Sequence, residues 1–184
     1  MAEHIIMEKS VALPEGIHAT YSGTVLSVTG PQGSIERKIY HPRLLVVCHN
    51  NSIVVRAAAA KPKKSDKMFM GTFISHLKNC VAGVQELFVY EVKICSGHFP
   101  MSVSIEGNTI VVKNFLGEKV ARRSHVYDSV SVSLQGDILT FSGIDKESVG
   151  QSAANLELAT RITRRDRRVF QDGCYIIRKA GKVL

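Results

Sequence analysis

The sequence has no tryptophan and few other aromatic residues, which restricts how its core can be built. Of its 184 residues, 45% are hydrophobic but only 7% are aromatic. The core must therefore consist mainly of Val, Ile, Leu and Ala. A chain of this length can fold as one ordinary domain or as two small ones.

Cysteine pairs, a leader and long apolar runs are also missing. The N-terminal segment carries Glu3 and Glu8 and no long apolar stretch, unlike a signal peptide. The apolar run of residues 44–48 is far too short to span a bilayer. These absences predict a reduced, intracellular, soluble protein with free thiols, no disulfide and no membrane partner. The four cysteines, none of them in a C-x-x-C pair, are Cys48, Cys80, Cys95 and Cys174.

No group of residues has the spacing of a catalytic or metal site. His76 and Cys80 are four residues apart on a predicted helix, but no further ligand lies near them in sequence. Residues 30–33, Gly-Pro-Gln-Gly, lack the Lys-Ser/Thr of a phosphate-binding loop. We therefore predict no enzyme activity, no cofactor, no metal and no small-molecule substrate. A metal-dependent enzyme that uses His and Cys remains a distant alternative.

Positive charge is in excess, with a net charge of +8. Lys and Arg side chains placed near phosphates release condensed counterions, so this excess predicts a polyanionic partner, with RNA favoured and a membrane surface as the competitor.

An internal repeat predicts two similar domains. Each copy contains a Gly-centred hairpin, Ser22-Gly23-Thr24 in the first and Glu106-Gly107-Asn108 in the second. The alternative is two unrelated sheets that share common hairpin signals. The matching positions, all at one offset, are Gly23 and Gly107, Leu26 and Ile110, Val28 and Val112, and Gly33 and Gly117.

Each copy continues in the same order. A basic strand is predicted over residues 35–40 in the first copy and 119–123 in the second, followed by two apolar strands. A helix then closes each copy, and Ser148 is the predicted N-cap of the second helix. The predicted fold is α+β, with two tandem domains (1–84 and 85–184), each a small, mostly antiparallel sheet packed with one helix. The apolar positions that predict the helices are Phe69, Phe73, Leu77, Cys80 and Val84, then Val149, Ala153, Leu156 and Thr160.

Most of the surplus charge follows the second helix. From Arg161 to the C-terminus, six Arg and two Lys oppose Asp166 and Asp172, a net of +6. One or two cations suit a helix C-terminus, but five arginines within eight residues exceed that need. A second, Lys-rich patch is predicted to form an exposed loop and consists of Arg56, Lys61, Lys63, Lys64 and Lys67. The predicted RNA-binding residues are Arg161, Arg164, Arg165, Arg167, Arg168, Arg178, Lys179, Lys182, Lys119, Arg122 and Arg123.

Several motifs resemble one family. Residues 114–119 (Asn-Phe-Leu-Gly-Glu-Lys), 150–155 (Gly-Gln-Ser-Ala-Ala-Asn), 165–173 and 96–101 are similar to signatures of large-subunit ribosomal protein L-six, in its archaeal and eukaryotic form (named L-nine in eukaryotes). Residues 71–79 match the helix of that family's first half. Cys174 departs from the family, which commonly has an apolar residue there, and this suggests a buried position.

The resemblance implies a structural constituent of the large ribosomal subunit, in the cytoplasm, with nucleolar transit during assembly in a eukaryote. It implies binding to large-subunit ribosomal RNA, mainly through the second domain, near the sarcin–ricin region where translation factors dock. Neighbouring ribosomal proteins are the other expected partners. The alternative is a non-ribosomal RNA-binding protein or a ribosome-assembly factor.

Overall fold

The chain forms two compact units in a computed structural model that describes residues 7–49, 51–59 and 61–183. The first unit ends at Leu87 and the second begins at Phe88. The predicted α+β class, with antiparallel sheets and one long helix in each unit, is confirmed.

The first unit contains two three-stranded antiparallel sheets, with strand orders β2-β3-β4 and β1-β6-β5. Helix α1 packs against strands of both sheets. The inward positions alternate along β6, where Ile53 and Val55 are buried, while Met70 and Leu77 on α1 are buried. The elements are β1 (Glu8–Ala12), β2 (His18–Ser22), β3 (Val25–Gly30), β4 (Gly33–Lys38), β5 (Leu44–His49), β6 (Ser52–Ala57) and α1 (Lys64–Gln85).

The second unit has a three-stranded sheet, β8-β9-β10, and a five-stranded sheet, β11-β12-β7-β13-β14, both antiparallel. Helix α2 packs on β7, β10, β12 and β13. The elements are β7 (Phe88–Cys95), β8 (Ser102–Glu106), β9 (Thr109–Lys113), a short 3-10 helix (Phe115–Gly117), β10 (Arg122–His125), β11 (Ser131–Gln135), β12 (Ile138–Gly143), α2 (Lys146–Ala159), β13 (Gly173–Lys179) and β14 (Lys182–Val183).

The strand registers of the two units match at the repeated hairpin. Val28 lies opposite Ala19, and Val112 lies opposite Val103. Both valines are buried, and both hairpins turn at a glycine with positive φ, +62° at Gly23 and +57° in the second unit. The prediction that Val28 and Val112 occupy equivalent strand positions is confirmed.

Two predicted element starts are wrong, for local reasons. The second basic strand begins at Arg122, because residues 118–121, which follow a 3-10 helix, form a bend rather than a strand. Helix α2 begins at Lys146, and its N-cap is Asp145 rather than Ser148. The Asp145 carboxylate accepts from the backbone N–H groups of Glu147 and Ser148, each at 3.2 Å.

The Lys-rich patch of the first unit is not a single loop. Helix α1 begins at Lys64, so Lys64 and Lys67 lie in its first turn and Lys63 is its N-cap. The Lys63 N–H donates to the buried Asp66 carboxylate at 2.7 Å, and Arg43 donates to the same oxygen at 2.8 Å. The lysines of this patch are exposed.

Candidate nucleic-acid interface

The chain between α2 and β13, residues 161–172, carries most of the predicted RNA-binding residues and is called the arginine segment below. Thr160, which is buried at the end of α2, joins the two ends of the arginine segment. Its hydroxyl accepts from the Cys174 N–H at 3.0 Å and donates to the Leu156 carbonyl at 3.2 Å. Because a rigid helix and strand hold both ends, the segment projects as a short, anchored loop. Its five arginines are all exposed.

Arg122 connects β10 to the start of the arginine segment. Its guanidinium donates to both carboxylate oxygens of Glu118, at 2.8 and 2.6 Å, and to the carbonyls of Ala159 and Arg161, at 2.9 and 3.2 Å. It also lies 4.1 Å from the centroid of the buried Phe115 ring. Its donors are thus largely used within the protein, which gives Arg122 a structural role alongside any contact with RNA.

Glu118 brings two predicted groups of cations to one surface. The hydrogen bonds from Arg122 lower the pKa of the Glu118 carboxyl, and the charge of Arg165 adds to the effect. Arg165 of the arginine segment therefore lies near the turn that carries the exposed Lys119. The sequence placed these groups far apart, and the packing of α2 on β10 brings them together.

Two further arginines have carboxylate partners. Arg168 binds Asp166 through Nε and a terminal nitrogen, at 3.1 and 2.8 Å, and these hydrogen bonds lower the pKa of Asp166. Arg178 donates to Glu91 at 2.8 Å across β13 and β7. Within the described ranges, the other predicted residues form no ion pair with a carboxylate: Arg161, Arg164, Arg165, Arg167, Lys119, Arg123, Lys179 and Lys182.

The far end of the segment is fixed by Asp172, a residue that sequence analysis counted only as an opposing charge. The buried Asp172 carboxylate accepts from the N–H groups of Gly97 and His98, at 2.6 and 2.9 Å, and pairs with His98 Nδ1 at 2.6 Å. Burial alone would raise the pKa of Asp172, but the bonds from His98 and Gly97 outweigh it and the pKa is lowered. The family-like motif at residues 96–101 was the available signal.

A groove of about 770 Å³ runs beside this contact. It separates the loop that follows β7 from the arginine segment. Its lining mixes polar and apolar atoms and includes Arg167 and Arg168, whose charges favour an anionic group. The residues that line it are Cys95, Ser96, Gly97, His98, Arg167, Arg168, Val169, Gln171 and Tyr175.

Cysteine and histidine form no metal cluster in the part of the chain that the structure describes. The four cysteines form no disulfide, and Cys174 is buried, as the family comparison of that position suggested. Burial raises the pKa of the Cys174 thiol to about 11, so it stays protonated and unreactive at neutral pH. Neither of the described helices has the length and apolarity needed to cross a membrane.

Comparison with known proteins identifies the family. Residues 99–173, which include the whole arginine segment, match the family model described as ribosomal protein L6. A curated relative, large ribosomal subunit protein uL6 of the archaeon Methanosarcina mazei, is 42% identical over 172 residues, covering 94% of this chain and 97% of the relative. The chain belongs to the ribosomal protein L6 family. It has the form found in archaea and eukaryotes, and the predicted resemblance is confirmed.

The L6 family consists of structural ribosomal proteins without enzymatic activity, so the prediction that the chain is not an enzyme is confirmed. The geometry agrees with a binding role. The motif at residues 165–173 is the part of this L6-family chain that places arginines at the surface and a carboxylate in the interior.

Proposed function

We propose that this chain is a structural constituent of the large ribosomal subunit that binds large-subunit ribosomal RNA through its second unit. The arginine segment carries this proposal. It presents five exposed arginines from a loop anchored at both ends, and Arg122 links the start of this loop to Glu118 in the turn before β10. Bringing so many like charges together is costly unless phosphates lie close by.

The interface suits recognition of the RNA backbone and its shape. Arg can bind a phosphate through two parallel N–H donors, a geometry that Lys lacks. Aromatic residues able to stack on unpaired bases are few in the segment, and Phe170 is already stacked against His98. The proposed ligand is therefore folded ribosomal RNA rather than a single strand read base by base.

The resemblance to the L6 family supports a finer placement. The proposed site lies near the sarcin–ricin region, where translation factors dock, with other ribosomal proteins as neighbours. The chain acts in cytoplasmic ribosomes, and in a eukaryote it passes through the nucleolus during assembly. Cross-linking within intact subunits, followed by mapping of the attached RNA, tests this placement independently of the residues involved.

Charge removal in the two units tests where RNA binds. We expect replacement of Arg161, Arg164 and Arg167 by Ala to weaken binding to deproteinised archaeal large-subunit ribosomal RNA, measured by filter binding. If each contacts one phosphate, the log–log salt dependence flattens by roughly 0.7 to 0.9 per residue removed. These three arginines are exposed and free of carboxylate partners among the described residues, so the variant should remain folded.

The matched control removes the same charge from the first unit, by replacing Lys61, Lys64 and Lys67 with Ala. These lysines are also exposed. We expect a much smaller loss of affinity from this variant. Equal losses would show that both units contact RNA, and an unchanged arginine variant would contradict the proposed interface. Retention of the wild-type protein on large subunits through a high-salt wash separates a ribosomal constituent from an assembly factor.

A further inference from the structure

The buried Asp172 carboxylate lies in a segment whose proposed ligand is an anion, and this needs an explanation. We propose that Asp172 and His98 are positioning residues, which hold the arginine segment in the conformation that binds RNA. The inference rests on the proposed function, because it concerns how the same interface is organised.

Asp172 ties the arginine segment to the loop between β7 and β8. One of its oxygens accepts from the Gly97 and His98 N–H groups, and the other pairs with His98 Nδ1. Asp172 is only 3% exposed, directly before β13 begins. Both carboxylate oxygens are thus satisfied inside the protein, and the side chain does not face a ligand.

Ring stacking extends this contact to a surface arginine. The His98 imidazole stacks on Phe170, with ring centroids 4.7 Å apart and planes 27° from parallel. The Arg165 guanidinium lies 4.8 Å from the centroid of the same Phe170 ring. A continuous series of contacts therefore runs from Asp172 through His98 and Phe170 to the exposed Arg165.

Backbone geometry within the segment also requires outside support. Arg164 has a left-handed φ of +58°, a conformation that is unfavourable for a residue with a side chain. Such residues persist when the surrounding structure holds them in place. Asp172 and His98 provide that support at one end, as Thr160 does at the other. Binding then requires less ordering of long, mobile side chains.

Removal of Asp172 should weaken RNA binding, although removal of its negative charge alone would strengthen it. Removing a carboxylate raises the net charge by one, which by Coulomb attraction alone strengthens binding to RNA. If Asp172 positions the segment, its removal weakens binding instead. Asp166 is the matched control, since it lies in the same segment but is exposed and, among the described residues, its carboxylate pairs with Arg168 alone.

The experiment compares Asp172→Ala with Asp166→Ala in the full chain, by filter binding to deproteinised archaeal large-subunit ribosomal RNA at fixed salt. We expect Asp172→Ala to bind roughly tenfold more weakly, the cost of ordering one or two long side chains, with a flatter salt dependence. Asp166→Ala should bind at least as tightly as the wild type. Folding is checked by circular dichroism and affinity is corrected for the folded fraction.

A second pair of variants covers the case in which Asp172→Ala does not fold. Phe170→Leu removes the stacked ring without changing charge or the bonds to Asp172, whereas Phe170→Tyr keeps an aromatic ring. We expect weaker RNA binding from Phe170→Leu, about threefold if one arginine is disordered, and near wild-type binding from Phe170→Tyr.

The inference is overturned if folded Asp172→Ala binds RNA as tightly as the wild type or as Asp166→Ala. Where Asp172→Ala does not fold, the inference is overturned if Phe170→Leu and Phe170→Tyr bind RNA with the same affinity. The variant lacking Arg161, Arg164 and Arg167 separates this failure from that of the proposed function. If that variant loses affinity while Asp172→Ala does not, only the positioning role is wrong. If it binds normally, the interface itself is wrong.

Discussion

Individual buried or partly buried polar residues hold the basic surface of the second unit in shape. Thr160, Arg122 and Asp172 each join chain segments that are distant in sequence. None of them needs to touch RNA to matter for binding. A substitution at such a residue leaves hydrogen-bonding partners unsatisfied, which costs about 1–3 kcal/mol for a buried group.

The lowered pKa of Asp172 predicts how acid affects the protein. A carboxyl with a lowered folded-state pKa contributes stability that is fully present above its ordinary value of 3.8 and is lost as pH falls through the lowered value. We therefore expect the free energy of unfolding of wild type and Asp172→Asn to converge as pH falls from about 5 to below 3. Urea unfolding of both proteins at several pH values in this range measures the difference between their unfolding free energies. A difference that does not change with pH would contradict the prediction.

The helices show how local signals and packing combine at the scale of an element. The apolar spacing predicts helices at Phe73, Leu77 and Val84, and at Val149, Ala153 and Leu156, and these residues are buried in α1 and α2. Helix starts follow capping chemistry more than apolar spacing. The N-cap of α2, Asp145, lies three residues before the predicted Ser148, and the backbone dihedrals and hydrogen bonds of the helix start identify it.

The N-cap of α2 gives a prediction for stability. Because Asp145 accepts from two helix N–H groups, we expect Asp145→Ala to lower the free energy of unfolding by about 1 kcal/mol. Ser148→Ala should cost less, since the Ser148 hydroxyl donates to Asp145 and, among the described residues, accepts from no helix N–H. Chemical denaturation of both variants measures the difference. A larger loss of unfolding free energy in Ser148→Ala than in Asp145→Ala would show that Ser148 is the N-cap, as the sequence pattern predicted.

At the scale of the whole molecule, the two units resemble each other in strand order and in net charge but differ in where their cations lie and in their last elements. The order β5-β6-β1 of the first unit corresponds to β11-β12-β7 of the second, which then adds β13 and β14. The arginine segment leads into this addition. The shared strand order is therefore the common framework of both units, and the extension carries the proposed interface.

The second unit has its own core, which predicts that it folds alone. Buried side chains of both its sheets and α2, among them Val92, Val112, Phe141 and Leu156, form one cluster. We expect residues 86–184 to unfold cooperatively in a thermal melt and to retain most of the RNA affinity of the full chain. Residues 1–87 provide the control and should bind weakly. Strong binding by the control would place RNA contacts in the first unit.

The sequence alone determined the elements that depend on nearest neighbours along the chain. Alternating valines and isoleucines, turn glycines such as Gly23 and Gly107, and helical apolar spacing predicted the α+β class, the hairpins and both helices. Repetition at one offset predicted the match of Val28 with Val112, since equivalent residues in a duplicated sheet keep their register. Charge counting drew attention to the arginine segment.

Only the tertiary structure decided what those charges can do. Eleven Lys and Arg residues were predicted from sequence to bind RNA. Three of them, Arg122, Arg168 and Arg178, pair with carboxylates, and the others have no carboxylate partner among the described residues. Asp172 and His98, separated by 74 residues, meet only because the loop after β7 folds against the end of the arginine segment. Hydrogen bonds over such separations leave no local pattern in a single sequence, because the partners are brought together by packing of the whole unit.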